Sequence, residues 1–203
     1  MIVYIESNFI LELAYLQEEH ENCERILKLA EDGKTRLVIP AFAIAEPFSA
    51  WVGRKRRRVD LHKSLTNELR ELGRSKPYAD SHEEFQEITK ALLVSGEDEK
   101  LRLDAVIERI LAVAVLIPIE GNTVRSAIEI QKTRRLDPQD SIVYASVISD
   151  LPGREDEPRC FVTKNSKDFA NPDITQELAG YQCELITNFG AAYGVILKSL
   201  LAR

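Results

Sequence analysis

The sequence predicts a single α/β domain, doubly wound around a mainly parallel central sheet and broken by one helical insertion. Two observations predict the sheet. Short apolar runs of the kind found in fully buried parallel strands recur along the chain, and polar clusters and apolar residues at helical spacing follow them. Strands that alternate with helices pair in parallel through right-handed crossovers. A third observation predicts the insertion: from about 53 to 111 the alternation stops, and the chain becomes highly charged and helical.

Ile2–Ile5 is the first strand and ends at Glu6-Ser7-Asn8, where Ser7 or Asn8 can cap a helix continued by Phe9, Leu13 and Leu16. A second helix covers Glu21–Glu31, with Ile26, Leu27 and Ala30 as its apolar face, and Asp32-Gly33 stops it. Leu37–Ile39 is the second strand, ended by Pro40. Ala41–Trp51 follows as a helix with Phe42, Ala45, Phe48 and Trp51 as its core stripe. In the insertion, Leu61, Leu65, Leu69 and Leu72 form one stripe, and Leu103, Val106, Ile107 and Ile110 form another. Turns are expected at Gly73–Pro77 and Ser95-Gly96. Val113–Ile119 is the third strand, and Asn122 or Thr123 caps a helix through Lys132. Asp137-Pro138 opens a largely apolar helix. Cys160–Thr163 and Cys183–Ile186 are the last strands, with a short helix at Ile174–Ala179 between them and a closing helix at Phe189–Leu201.

The 203 residues suit one domain, 1–203, and are enough to bury a sizeable core. No apolar run approaches the roughly 20 residues of a membrane helix. The start, MIVYIESNF, has no basic region or long apolar stretch of a secretory signal. A cytoplasmic protein that makes no membrane contact is expected. Cys23, Cys160 and Cys183 are odd in number and form no CxxC pair, so neither a disulfide framework nor a zinc site is expected. Cys160 and Cys183 read as small buried hydrophobes. His20, His62 and His82 are scattered over charged helical stretches and read as surface residues. The formal net charge of −6 argues against a protein that coats DNA. It leaves room for a nuclease, because carboxylates that bind metal add to the acidic count.

Open parallel sheets bind ligands at the carboxyl edge of their strands. Glu6 follows the first strand directly, and Glu46 lies one to two turns into the helix after the second. Asp140 is in the first turn after Asp137-Pro138, and Asp168 follows the fourth strand. Gathered in one cleft, four carboxylates repel, and a cation relieves them. An all-oxygen ligand set suits a hard ion, Mg²⁺ or Mn²⁺, which lowers the pKa of bound water and stabilises charge on a phosphoryl oxygen. The chemistry implied is phosphodiester hydrolysis. Singly, each acid has a plainer role: Glu6 or Asp140 can sit at a helix start for its dipole, and Asp137 is read as a helix cap. Glu120 precedes a separate helix and is left out.

These residues resemble the PIN-domain family, particularly VapC-like ribonucleases. Ile2-Val3-Tyr4-Ile5-Glu6-Ser7-Asn8 is similar to the family's opening strand, acid, hydroxyl residue and Asn, and Ile44-Ala45-Glu46 to its second acidic motif. Leu136–Ala145 resembles the segment whose acid falls on Asp140. Phe161–Phe169, with Thr163, Asn165 and Asp168, is the most specific match. The resemblance covers about 1–52 and 112–190. It implies a PIN-like α/β/α sandwich and Mg²⁺- or Mn²⁺-dependent cleavage of RNA. It also implies catalytic, metal-holding Glu6, Glu46, Asp140 and Asp168, with Ser7, Asn8, Thr163 and Asn165 orienting carboxylates or water. A homodimer and an antitoxin-like partner protein also go with it. The family's first acid is usually Asp; Glu6 keeps the charge but adds a methylene, so its oxygens move.

Arg54-Lys55-Arg56-Arg57-Arg58, with Lys63 nearby, is the densest positive run and a candidate RNA-binding strip. Its plainer reading is a solvated helix face. Two further functions stand beside the ribonuclease. One is a PIN-like module that binds RNA or protein with weakened catalysis. The other is a phosphate-handling enzyme of another kind, for which the chain offers neither GxGxxG nor a P-loop.

Overall fold

The computed structural model describes residues 1–153 and 157–201, and side chains there except those of 79–86. The sheet consists of β1 (Ile2–Tyr4), β2 (Arg36–Pro40), β3 (Val115–Ile117), β4 (Arg159–Val162) and β5 (Cys183–Ile186), all parallel, in the order β3-β2-β1-β4-β5. β1 and β4 are buried along their whole length, which is why their sequences are unbroken apolar runs apart from Arg159. Arg159 meets that burial only in part: Nη1 donates to Leu151 O at 2.7 Å, while Nε has no partner among the described residues. The chain steps outward from β1 to β3, then crosses back to place β4 on the other side of β1. The strand order reverses between β1 and β4, so the crevice expected to take a ligand opens at the carboxyl ends of those two strands.

The helices flanking the sheet are α1 (Ser7–Tyr15), α2 (His20–Glu31), α3 (Ala41–Leu72), α4 (His82–Val113), α5 (Gly121–Arg134), α6 (Pro138–Asp150), α7 (Ser166–Phe169), α8 (Pro172–Gly180) and α9 (Phe189–Leu201). Ile26, Leu27 and Ala30 are buried on α2 as their spacing requires, joined by Cys23. Gly33, at φ 70°, takes the left-handed turn that ends the helix. The core is fastened by edge-on ring pairs, Phe9 with Phe189 at 5.6 Å and Phe161 with Phe169 at 5.2 Å. All three cysteines are buried and free, and burial pushes their thiols up, Cys183 to about 12. Among the described residues, no helix is long and apolar enough to cross a membrane.

Several local expectations are corrected. The helix after β2 does not end at Trp51: α3 runs 32 residues, and α4 matches it. The insertion is therefore an antiparallel arm, each helix roughly 48 Å long at 1.5 Å per residue. The expected stripe on α3 is rotated. Ala43 and Pro47 are buried, Phe42 and Trp51 are partly buried, and Ala45 and Phe48 are exposed. Leu65 and Leu69 are half-buried in the arm, whereas Leu61 and Leu72 are exposed. Leu103, Val106, Ile107 and Ile110 do join the core. No turn forms at Ser95-Gly96; α4 passes straight through it, and Gly96 O accepts the Trp51 indole N–H at 2.9 Å. The third strand is shorter than expected because Val113 still belongs to α4. Neither Asn122 nor Thr123 caps α5; Glu120 holds the N-cap position without a side-chain bond. His20 and His62 are half-buried, not surface residues: His20 Nδ1 bonds Gln17 O at 2.6 Å, and His62 Nδ1 bonds Thr89 O across the arm at 3.1 Å. The His82 side chain lies outside the described residues.

Candidate active-site cleft

β1 ends where its backbone must turn into α1, and Glu6 makes that turn. Its side chain is the N-cap: Oε2 accepts from Asn8 N at 2.8 Å and from the Ser7 hydroxyl at 3.0 Å. Neither Ser7 nor Asn8 takes that role. The arrangement uses one oxygen of a buried carboxylate. The other, Oε1, is buried and has no hydrogen-bond partner among the described residues. Burial pushes the Glu6 carboxyl above its ordinary range, against the opposing pull of Asn8, Ser7 and the nearby Thr163 hydroxyl.

The turn after β4 supplies the facing wall. Thr163 is fully buried, and its Oγ1 accepts from Asn165 N at 2.9 Å, which sets the direction of the Asn165 side chain. Asn165 Nδ2 then donates to Asp140 Oδ2 at 3.0 Å. Asp140 sits in the first turn of α6, and Asp168 in the first turn of α7. Burial lifts the Asp140 carboxyl to about 7, reinforced by the negative charges of Asp168, Glu6, Glu46 and Asp137.

A cleft of about 400 Å³ joins these groups. Glu6, Ser7, Asn8, Glu46, Asp140, Asn165 and Asp168 all line it; Thr163 does not line it but lies near enough to act on the Glu6 carboxyl. Asp137, Gln139 and Lys164 line it too, and sequence reasoning missed them. Asp137 occupies the expected cap position of α6, but its side chain makes no capping bond and adds its charge to the cleft. Lys164 donates from Nζ to Glu12 Oε1 at 2.6 Å and to Glu18 Oε2 at 2.8 Å. Only its place between Thr163 and Asn165 could have drawn attention to it.

The basic run lies elsewhere. Arg58 forms a two-bond pair with Glu99 at 2.7 and 2.8 Å, and Arg54 reaches the same carboxylate at 3.4 Å. Lys55 pairs with Glu97 at 2.7 Å. These three tie α3 to α4, while Arg56 and Arg57 are exposed. Lys55 and Arg58 also line a separate, mostly apolar pocket of about 310 Å³ on the arm, with Val59, Leu92 and Val94.

Among the described residues, no three Asp, Glu, His or Cys side chains stand close enough to form a ready-made metal cage. The acids nonetheless fit a hard cation that keeps several of its waters. The donors are carboxylate oxygens, Glu6 Oε1 lacks a partner, and Asp140 is destabilised as an anion by its neighbours.

A parallel α/β sheet with acids gathered at its switch point defines the class: an open α/β fold that presents carboxylates, in place of a glycine-rich loop, at the crevice where such sheets take ligands. The chain belongs to the PIN-domain family: that family's model matches residues 3–169. PIN domains are generally nucleases and typically use divalent metals. Neither a curated protein nor a solved structure matches the chain.

Proposed function

We propose that the cleft binds Mg²⁺ or Mn²⁺ and hydrolyses phosphodiester bonds of RNA. The observation that carries this reading is the buried, unpartnered Oε1 of Glu6 in the same cleft as the charge-crowded Asp140. A bound divalent ion would supply charge stabilisation at the phosphoryl oxygens and acidify water. Glu6, Glu46, Asp140 and Asp168 would hold it. In hydrolysis, water oxygen bonds to phosphorus, one P–O ester bond breaks, and the departing oxygen takes a proton. The chain's own part is placement. Ser7 and the Asn8 N–H hold Glu6 Oε2, and Asn165, itself fixed on Thr163, holds Asp140. Such supports keep ligand carboxylates from swinging away from a productive geometry.

The test is Mn²⁺-dependent cleavage of single-stranded RNA by the purified protein. Cleavage that persists unchanged in Asp140→Asn and Asp168→Asn proteins would reject the proposal.

One observation favours a second reading, a PIN-like module with weakened catalysis. Glu6 is committed to capping α1 and is one methylene longer than the family's usual Asp. A gain of cleavage in Glu6→Asp protein supports that reading, and equal or lower cleavage counts against it. A homodimer, an antitoxin-like partner and RNA contact by exposed Arg56 and Arg57 go with the first reading as parts of the same proposal.

A further inference from the structure

Among the described residues lining the cleft, Lys164 carries the one positive side chain. It sits on the turn after β4, between the threonine and the asparagine that fix Asp140. Its two partners differ sharply. Glu12 is 1% exposed, and both its oxygens are engaged: Oε1 with Lys164 Nζ, Oε2 with Glu19 N at 2.8 Å. A buried carboxylate so placed cannot give up its cation without being left uncompensated. Glu18 is 88% exposed, on the short link between α1 and α2, and holds the same ammonium at 2.8 Å. An exposed pair of this kind contributes little, because water screens it and ordering the long side chain opposes it. One anion therefore anchors Lys164, and the other is replaceable.

From this asymmetry we infer that Lys164 is the cleft's phosphate contact, with Glu18 keeping the place of a backbone phosphate until RNA displaces it. The inference rests on the nucleic-acid reading of the cleft. A phosphate oxygen carries the charge that Glu18 brings, so the exchange leaves Lys164 paired and still anchored on Glu12. The ammonium would bind and orient the strand beside Asp140 and Asp168 without itself holding the metal. The basic run does not compete for this role, because Arg54, Lys55 and Arg58 do not line the cleft, and Arg54 and Arg58 are held on the arm by the buried Glu99.

The test measures binding of a fluorescently labelled single-stranded RNA of mixed sequence across a KCl series. Full-length Asp140→Asn protein serves as the parent that stops turnover, and each titration is run with and without Mn²⁺. Adding Lys164→Gln is expected to weaken binding about fivefold and to flatten the log–log salt slope by about 0.7, the loss of one phosphate contact on a single strand. Adding Glu18→Gln is expected to tighten binding about threefold by removing the competing anion, with no effect when Lys164→Gln is also present. Lys164→Arg should keep the salt slope. If Lys164→Gln unfolds because Glu12 is left unpaired, Glu18→Gln still decides, since an exposed side chain is altered. An unchanged affinity in Glu18→Gln, or an unchanged slope in a folded Lys164→Gln, overturns the inference while the nucleic-acid reading stands. A parent that binds no RNA under either metal condition overturns both.

Discussion

Asn165 donates its side-chain amide to Asp140 Oδ2 at 3.0 Å, so the turn after β4 positions an acid that belongs to α6. The two residues are far apart in sequence, and the bond joins the two walls of the cleft. Replacing Asn165 by Ala removes the donor but none of the four proposed ligands. RNA cleavage in saturating Mn²⁺ should fall about 10- to 100-fold, with the melting temperature little changed. Activity within twofold of the natural protein would show that Asp140 needs no such support.

The raised Asp140 carboxyl makes stability depend on pH in a defined direction. Its ordinary value is 3.8, and in the folded chain it reaches about 7. Between those values the folded chain binds a proton that the unfolded chain has released. Stability therefore falls as pH rises from about 4 to about 7. Glu6, also raised by burial, acts in the same sense. Thermal melts in chelator should show a melting temperature that declines across this window, and Asp140→Asn should flatten the decline. A rise instead would contradict the crowding of carboxylates.

Metal and proton compete for the same oxygens, so the effect of metal should depend on pH as well. Mn²⁺ should raise the melting temperature more at pH 8 than at pH 5.5, where Asp140 is largely protonated. Equal shifts at both values would place the ion away from Asp140.

The arm offers a prediction independent of the cleft. Glu99 is 8% exposed and receives both Arg58 and Arg54. Glu99→Ala leaves two guanidinium groups without their shared partner and should cost about 3 kcal/mol in denaturant unfolding. The Mn²⁺-dependent rise in melting temperature should survive, because none of these residues lines the cleft. By contrast, Gly96→Ala should stabilise by about 0.5–1 kcal/mol: the position is mid-helix, and an added Cβ meets nothing within 4 Å.

What could be read in the sequence follows from how each feature is encoded. Ile2–Tyr4 and Arg159–Val162 are strands buried on both faces, and near-continuous apolar runs announce such strands directly. Glu6, Glu46, Asp140 and Asp168 could be placed because strand ends in a parallel sheet share one edge. Asp137 could not, since a residue before proline at a helix start looks like a cap whether or not it bonds there. Glu12 was invisible because its burial depends on Lys164, a partner distant in sequence. The arm's helical character is written in its charged, periodic sequence, but its length is not. Gly53 and Gly96 look like breaks in a linear reading, while packing between α3 and α4 carries both helices through them. Similarly, the pairing of Arg54, Lys55 and Arg58 within the basic run cannot be read locally, because their carboxylates, Glu97 and Glu99, lie on the returning helix.

The central place of β1 also sets a timetable for the chain as it is made. β2 can pair with β1 soon after it emerges, but the other edge of β1 waits for Arg159–Val162. Roughly 120 residues separate those events, or ~6–25 s of synthesis at about 5–20 residues per second. During that interval a strand buried along its whole length has one side unsatisfied, and the segment emerging beside it is the charged arm. A nascent chain halted before β4 should therefore be the species most prone to aggregate, and the first that a chaperone would need to hold.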